Sequence, residues 1–174
     1  SVVVGTWTAT LRGTAGQLGT DGLPASMAFN GPQGGELAIA SNGNGFIFTL
    51  STNGLAAITD AQFPANVTQV VFWRGHFVWI AEDGTSFYLS GSYDGTTYET
   101  ADVGEREWGA DYIQTLLVDE DSGELWPIGR LTTEVWWYNG ALGFPAEPVN
   151  VLIPYGTPAT HAWSQLGASL YGLV

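Results

Sequence analysis

Apolar residues recur in short runs along the chain, and clusters rich in Gly, Asn and Asp separate them. The clearest stretch is 67–100. Val67–Trp73, His76–Ala81 and Ser86–Ser90 read as successive strands, with turns at Arg74-Gly75 and Glu82-Asp83-Gly84-Thr85. Ser92-Tyr93-Asp94-Gly95 turns the chain again before Thr96–Thr100. A second unit covers 111–140: Asp111–Asp119, Glu124–Gly129 and Thr132–Tyr138, ending at Asn139-Gly140. Outside these two candidate blades, Glu36–Ala40 and Phe46–Leu50 form a hairpin across an Asn/Gly loop, because those residues tolerate positive φ. Ala162–Gln165 and Ser169–Val174 form another, and residues 1–12 alternate as a strand does. Residues 13–35 read as a long loop and 141–160 as an irregular crossover. Glu105-Arg106-Glu107-Trp108 reads as a single helical turn, and no long 3.6-residue period appears.

These runs make the fold all-β. Gly75-His76-Phe77-Val78-Trp79-Ile80, Gly123-Glu124-Leu125-Trp126-Pro127-Ile128 and Gly167-Ala168-Ser169-Leu170-Tyr171-Gly172 each open on Gly and continue into an aliphatic–aromatic run. They lie roughly 45–50 residues apart, the length of one four-stranded propeller blade. The expectation is a set of β-propeller-like meander blades forming an incomplete propeller, with a β-sandwich as the alternative. A closed propeller needs at least four blades. The chain offers about three to four, so residues 1–174 read either as a single all-β domain or as the ordered part of a longer propeller protein.

Composition narrows the function. The 174 residues carry a formal net charge of −13 and no cysteine. The charge repels phosphate backbones, so no tight nucleic-acid binding is expected. Without cysteine there is neither a disulfide framework nor a thiolate metal site. No apolar stretch is long enough for a helical membrane span. The charged fraction is only 12%, which suits a surface partly covered in an assembly and equally an ordinary soluble acidic domain.

No catalytic, cofactor-binding or metal-binding residue is assigned. His76 and His161 lack partners at metal spacing. Asp119-Glu120-Asp121 is the densest carboxylate cluster and reads as a solvated turn. Asp94, Asp111 and Glu134 are the carboxylates a glycosidase-type pair would draw on, but sequence cannot select a pair defined in space. Ser92-Tyr93-Asp94-Gly95-Thr96-Thr97-Tyr98 looks like the Asp-box turn of sialidase-type propellers, which is a turn device. A sialidase site also needs several arginines, and this chain has Arg12, Arg74, Arg106 and Arg130 in all. The aromatic strand around Thr132–Tyr138 supplies the candidate interface residues: Trp136, Trp137 and Tyr138, with Trp126 on the preceding strand; packing in the core is the competing reading. Alternation puts Trp137 on one face and Trp136 with Tyr138 on the other.

Residues 67–144 resemble the packaged-DNA stabilisation, or tail-hub, proteins of short-tailed bacteriophages. The resemblance rests on Val70-Val71-Phe72-Trp73-Arg74-Gly75-His76-Phe77-Val78-Trp79 and Asp83-Gly84-Thr85-Ser86-Phe87-Tyr88-Leu89-Ser90. Its most specific part is Gly123-Glu124-Leu125-Trp126-Pro127-Ile128-Gly129 followed by Thr132-Thr133-Glu134-Val135-Trp136-Trp137-Tyr138-Asn139-Gly140. Two departures are Pro127, where the family has a strand residue, and the added tryptophan in Trp136-Trp137. The resemblance implies a structural virion protein in the phage tail and no enzyme. It also implies a homo-oligomeric ring that contacts portal, adaptor and other tail proteins, helps close the DNA exit channel and joins the neck to distal tail parts. The competing readings are a glycan-binding or receptor-binding β-domain and a secreted β-sandwich.

Overall fold

A computed structural model describes residues 9–108 and 111–173. The first sheet contains β1 (Ser26–Phe29), β2 (Glu36–Ser41), β3 (Asn44–Thr49) and β4 (Gly54–Ala57). A single helical turn, α1 (Gly31–Gly34), separates β1 from β2. The second sheet contains β5 (Val67–Trp73), β6 (His76–Ala81), β7 (Ser86–Gly91) and β8 (Asp94–Glu105). The third contains β9 (Ile113–Val118), β10 (Leu125–Gly129), β11 (Thr133–Tyr138) and β12 (Ala146–Ile153). The last is a two-stranded sheet of β13 (Trp163–Leu166) and β14 (Ser169–Gly172). Every sheet is an antiparallel meander in chain order, and none closes into a barrel. This is the expected all-β, blade-like architecture of an incomplete propeller.

The turns work as their residues require. Arg74 and Gly75 both hold positive φ, of 50° and 98°, in the two-residue connection from β5 to β6. That geometry matches the twist of the flanking strands. The structure departs from the expected pattern at several points, and it adds β4 in a stretch the pattern left unassigned. The segment 13–35 contains β1, a short strand behind a Gly-rich lead-in. Residues 141–160 contain β12, which was hidden by Pro145 and Pro148. β12 is the outermost strand, where a missing N–H breaks no ladder on the solvent side. β10 falls within the expected strand Glu124–Gly129 although Pro127 sits inside it, and β10 pairs with β11 only at Leu125↔Trp136 and Ile128↔Thr133. Instead of a helical turn at 105–108, β8 runs to Glu105 and the chain then bends with Arg106 buried. The strand expected over 1–12 lies largely outside the described residues, and residues 9–12 are not strand.

The sheets stack face to face. Ala38, Ala40 and Ile47 pack against Val67, Val70, Phe77, Trp79 and Tyr98 between the first and second sheets. Trp73, Val78, Ile80, Phe87 and Leu89 pack against Ile113, Leu116, Leu125 and Trp136 between the second and third. The first strands of successive sheets also bond to each other. Ser26 Oγ contacts Val70 O and Val70 N at 3.1 Å each, linking β1 to β5. Gln69 on β5 accepts from Leu116 N at 2.6 Å and donates to Leu116 O at 3.0 Å, linking β5 to β9. Buried polar side chains that mate with a neighbouring backbone satisfy groups that would otherwise be costly.

Candidate functional site

The four aromatic candidates divide between the two faces of the third sheet. Trp136 is 3% exposed and faces the second sheet. Its ring stands edge-on to Phe87 at 5.0 Å and to Phe144 at 6.0 Å, and its indole donates to Glu134 Oε2 at 3.2 Å. Tyr138, on the same face, meets Trp73 edge-on at 5.7 Å. Its hydroxyl lies 3.5 Å from His76 Nε2, while His76 Nδ1 contacts the Ser90 carbonyl at 2.7 Å. Trp137 points to the other face and is 44% exposed. The β10–β11 register places Trp126 on that face too. Trp126 is half-buried, with an indole N–H that finds no acceptor. On this face Thr133 donates to the Tyr155 carbonyl at 2.8 Å, in the segment leading to β13. The structure therefore uses Trp136 and Tyr138 within the chain's own inter-sheet core and leaves Trp126 and Trp137 on the opposite face.

Sequence reasoning missed the most constrained group, Arg106. Its side chain is fully buried where β8 ends. Nη1 donates to Asp111 Oδ1 at 2.7 Å, and Nη2 donates to Thr132 Oγ1 at 2.7 Å and to Thr132 O at 3.1 Å. Nε lies 3.5 Å from Glu134 Oε1. Glu134 also accepts from the backbone of Trp108 at 2.9 Å, and Asp111 accepts from Leu131 N at 2.6 Å. Burial alone raises the Asp111 carboxyl pKa. The Leu131 N–H, the Thr132 hydroxyl and the Arg106 guanidinium outweigh that and hold it below the ordinary carboxylate value. Two of the three carboxylates named from sequence thus meet, but around a shared cation and with their oxygens committed to backbone donors. This is a clamp on the β8–β9 and β10–β11 connections. The only sequence signal for it was the scarcity of arginine.

The remaining candidates have structural roles. Asp94 Oδ1 accepts from Thr96 N at 2.8 Å and from Thr96 Oγ1 at 2.6 Å, as a self-contained turn requires. Tyr98 closes that turn by donating to Gly95 O at 3.0 Å, and burial pushes its hydroxyl well above the usual phenol range. Asp119 accepts from Ser122 Oγ at 2.7 Å and from Gln165 Nε2 at 2.7 Å, tying the β9–β10 turn to β13. Among the described residues no group of three or more His, Asp or Glu could hold a metal ion. No described helix is long and apolar enough to cross a membrane. A cavity of about 700 Å³ is bordered by Asp21, Asn42, Asn66, Glu82 and His161, where β1 and β5 begin.

Three comparisons with known proteins bear on this architecture. The sequence matches the family described as Phage_stabilise, bacteriophage P22 Gp10, β-propeller, over residues 4–173. No curated protein matches the chain. Among solved structures, the extracellular domain of the hybrid two-component system BT4673 of B. thetaiotaomicron is similar, with a TM-score of 0.52 and 13% identity over 83% of this chain. A second structure, described as the extracellular domain of a one-component system BT4673 of the same organism, gives 0.53 and 12% over 83%. The chain covers 19% of each of these structures, so the likeness is one of fold.

Proposed function

From the premise that this chain belongs to the Phage_stabilise β-propeller family of bacteriophage P22 Gp10, we propose that it is a non-catalytic structural protein of the phage virion. In this reading it works in the head-to-tail or tail-hub assembly, as part of a homo-oligomeric ring beside portal and adaptor proteins. It helps to close the DNA exit channel and joins the neck to distal tail parts. The observation that carries this reading is the family match over nearly the whole chain. Exposed apolar side chains on the first and last sheets agree with it. Met27 and Phe29 on β1 are 61% and 44% exposed, and Leu166 and Tyr171 on the last sheet are 74% and 59% exposed. Large apolar side chains left exposed on the first and last sheets call for neighbours. Trp126 and Trp137 are the proposed interface residues, and the acidic surface disfavours adhesion to packaged DNA.

The test is mass photometry of the protein alone and mixed with portal and adaptor proteins. A ring, or a complex with either partner, is the expected outcome. A monomer that ignores both removes the virion reading.

A second reading, a glycan- or receptor-binding β-domain, draws on a different observation. Both similar solved structures are extracellular domains. Exposed aromatic residues such as Trp108, Trp137 and Tyr155 offer flat, partly polar surfaces of the kind sugars stack on. Binding on a glycan array by the monomer, lost in Trp108→Ala or Tyr155→Ala, favours this reading over the first.

A further inference from the structure

A groove of about 560 Å³ runs between the outer strands of the second and third sheets. One wall is the end of β8, from Val103 to Glu105, continuing into Arg106 and Glu107. The other is the start of β12, Ala146–Pro148. Trp136 and Phe144 form the floor, with ring centroids 6.0 Å apart. Gly104 keeps the floor open, because a Cβ there would collide with the Phe87 and Phe144 rings.

The groove is apolar below and anionic above. Glu105, Glu107 and Glu147 are exposed on its border, and among the described residues none forms an ion pair. The one cation in the lining is Arg106, whose side chain is fully buried and already held by Asp111 and Glu134. No charge on the groove therefore offsets its three carboxylates. β8 and β12 are the last strands of their meanders, so each has an edge without a strand partner. Free strand edges pair with extended backbone. An aromatic floor below carboxylates suits a side chain with an aliphatic stem and a cationic head.

We propose that this groove docks an extended, basic segment of a partner protein, with a lysine or arginine head among Glu105, Glu107 and Glu147 and its stem over Phe144. The carboxylates set the sign of the occupant, and the free strand edges favour a peptide over a compact cation. The proposal does not depend on the virion reading.

The test uses fluorescence anisotropy of a labelled peptide of alternating lysine and valine, with its lysine-acetylated counterpart, against the full chain at low salt. The basic peptide is expected to bind, to weaken as salt rises and to lose affinity on acetylation. The triple variant Glu105→Gln, Glu107→Gln, Glu147→Gln is expected to weaken binding by about tenfold. A control removes the same charge elsewhere on the surface: Glu99→Gln, Glu120→Gln, Asp121→Asn. It should leave affinity nearly unchanged. Equal losses in the two triple variants would show only general attraction to an acidic protein and overturn the proposal. So would absence of binding at low salt, or undiminished binding of the acetylated peptide.

Discussion

The interface between the first and second sheets and the one between the second and third solve the same stacking problem differently. In the first, small residues, Ala38 and Ala40, receive the rings of Phe77, Trp79 and Tyr98. Half-buried Glu36 reaches across and accepts from Gly95 N at 2.9 Å. That carboxylate keeps some contact with water and needs no cation. In the second, large rings meet large rings, Phe87 against Trp136 and Trp73 against Tyr138. Here Glu134 is 1% exposed. Acidic side chains satisfy backbone N–H groups at both interfaces, but only at the second does an arginine join them, 2.7 Å from the less buried Asp111 and 3.5 Å from Glu134. A carboxylate taken fully out of water is tolerated only with a partner charge. Much of this chain's acidity near the sheet ends thus does structural capping, and one scarce arginine stands where capping goes deepest.

The sharpest way to break this contrast is Arg106→Met. It leaves Asp111 and Glu134 without their cation, and a loss of about 3–5 kcal/mol is expected in urea denaturation. A loss below about 1 kcal/mol would mean that the clamp is ornamental. Asp111→Asn keeps the shape but not the charge, and about 2 kcal/mol should go. Gly95→Ala probes the other interface, since a Cβ there collides with Ile47 and stands 3.0 Å from the Phe77 ring. Overpacking of this kind costs about 1–3 kcal/mol, readable as a lower Tm.

Acid titration sharpens the comparison further. At Asp94 burial raises the carboxyl pKa, but the Thr96 hydroxyl and N–H and the Thr97 hydroxyl bring it below the ordinary value, as donors also do at Asp111. A carboxyl whose folded pKa is depressed contributes stability above its unfolded value of 3.8, and that stability is lost as pH falls through the folded one. Denaturation midpoints should therefore drop below about pH 4. The drop should be shallower in Asp94→Asn and in Asp111→Asn, and unchanged slopes would assign acid sensitivity to other groups. The smallest effect belongs to Arg130→Ala. Its contact with Asp83 is 3.8 Å long and more than half exposed on both sides. Stability should move by less than about 1 kcal/mol.

The chain by itself determined the local grammar. Strands β5, β6 and β7, the hairpin of β2 and β3 and the two-stranded end of the chain lie close to where alternation and Gly-containing turns place them. Those signals act over a few neighbouring residues, so sequence carries them. The alternation at 133–138 also separated Trp137 from Trp136 and Tyr138. β1 and β12 were illegible because one is short and the other carries Pro148, and each is a strand by virtue of the neighbour it pairs with. Only the tertiary structure decided which face of the third sheet is core, and that Arg106, Asp111 and Glu134 meet. Those groups are brought together by stacking one sheet on the next, and no short-range pattern records a contact whose energy comes from shared exclusion of water.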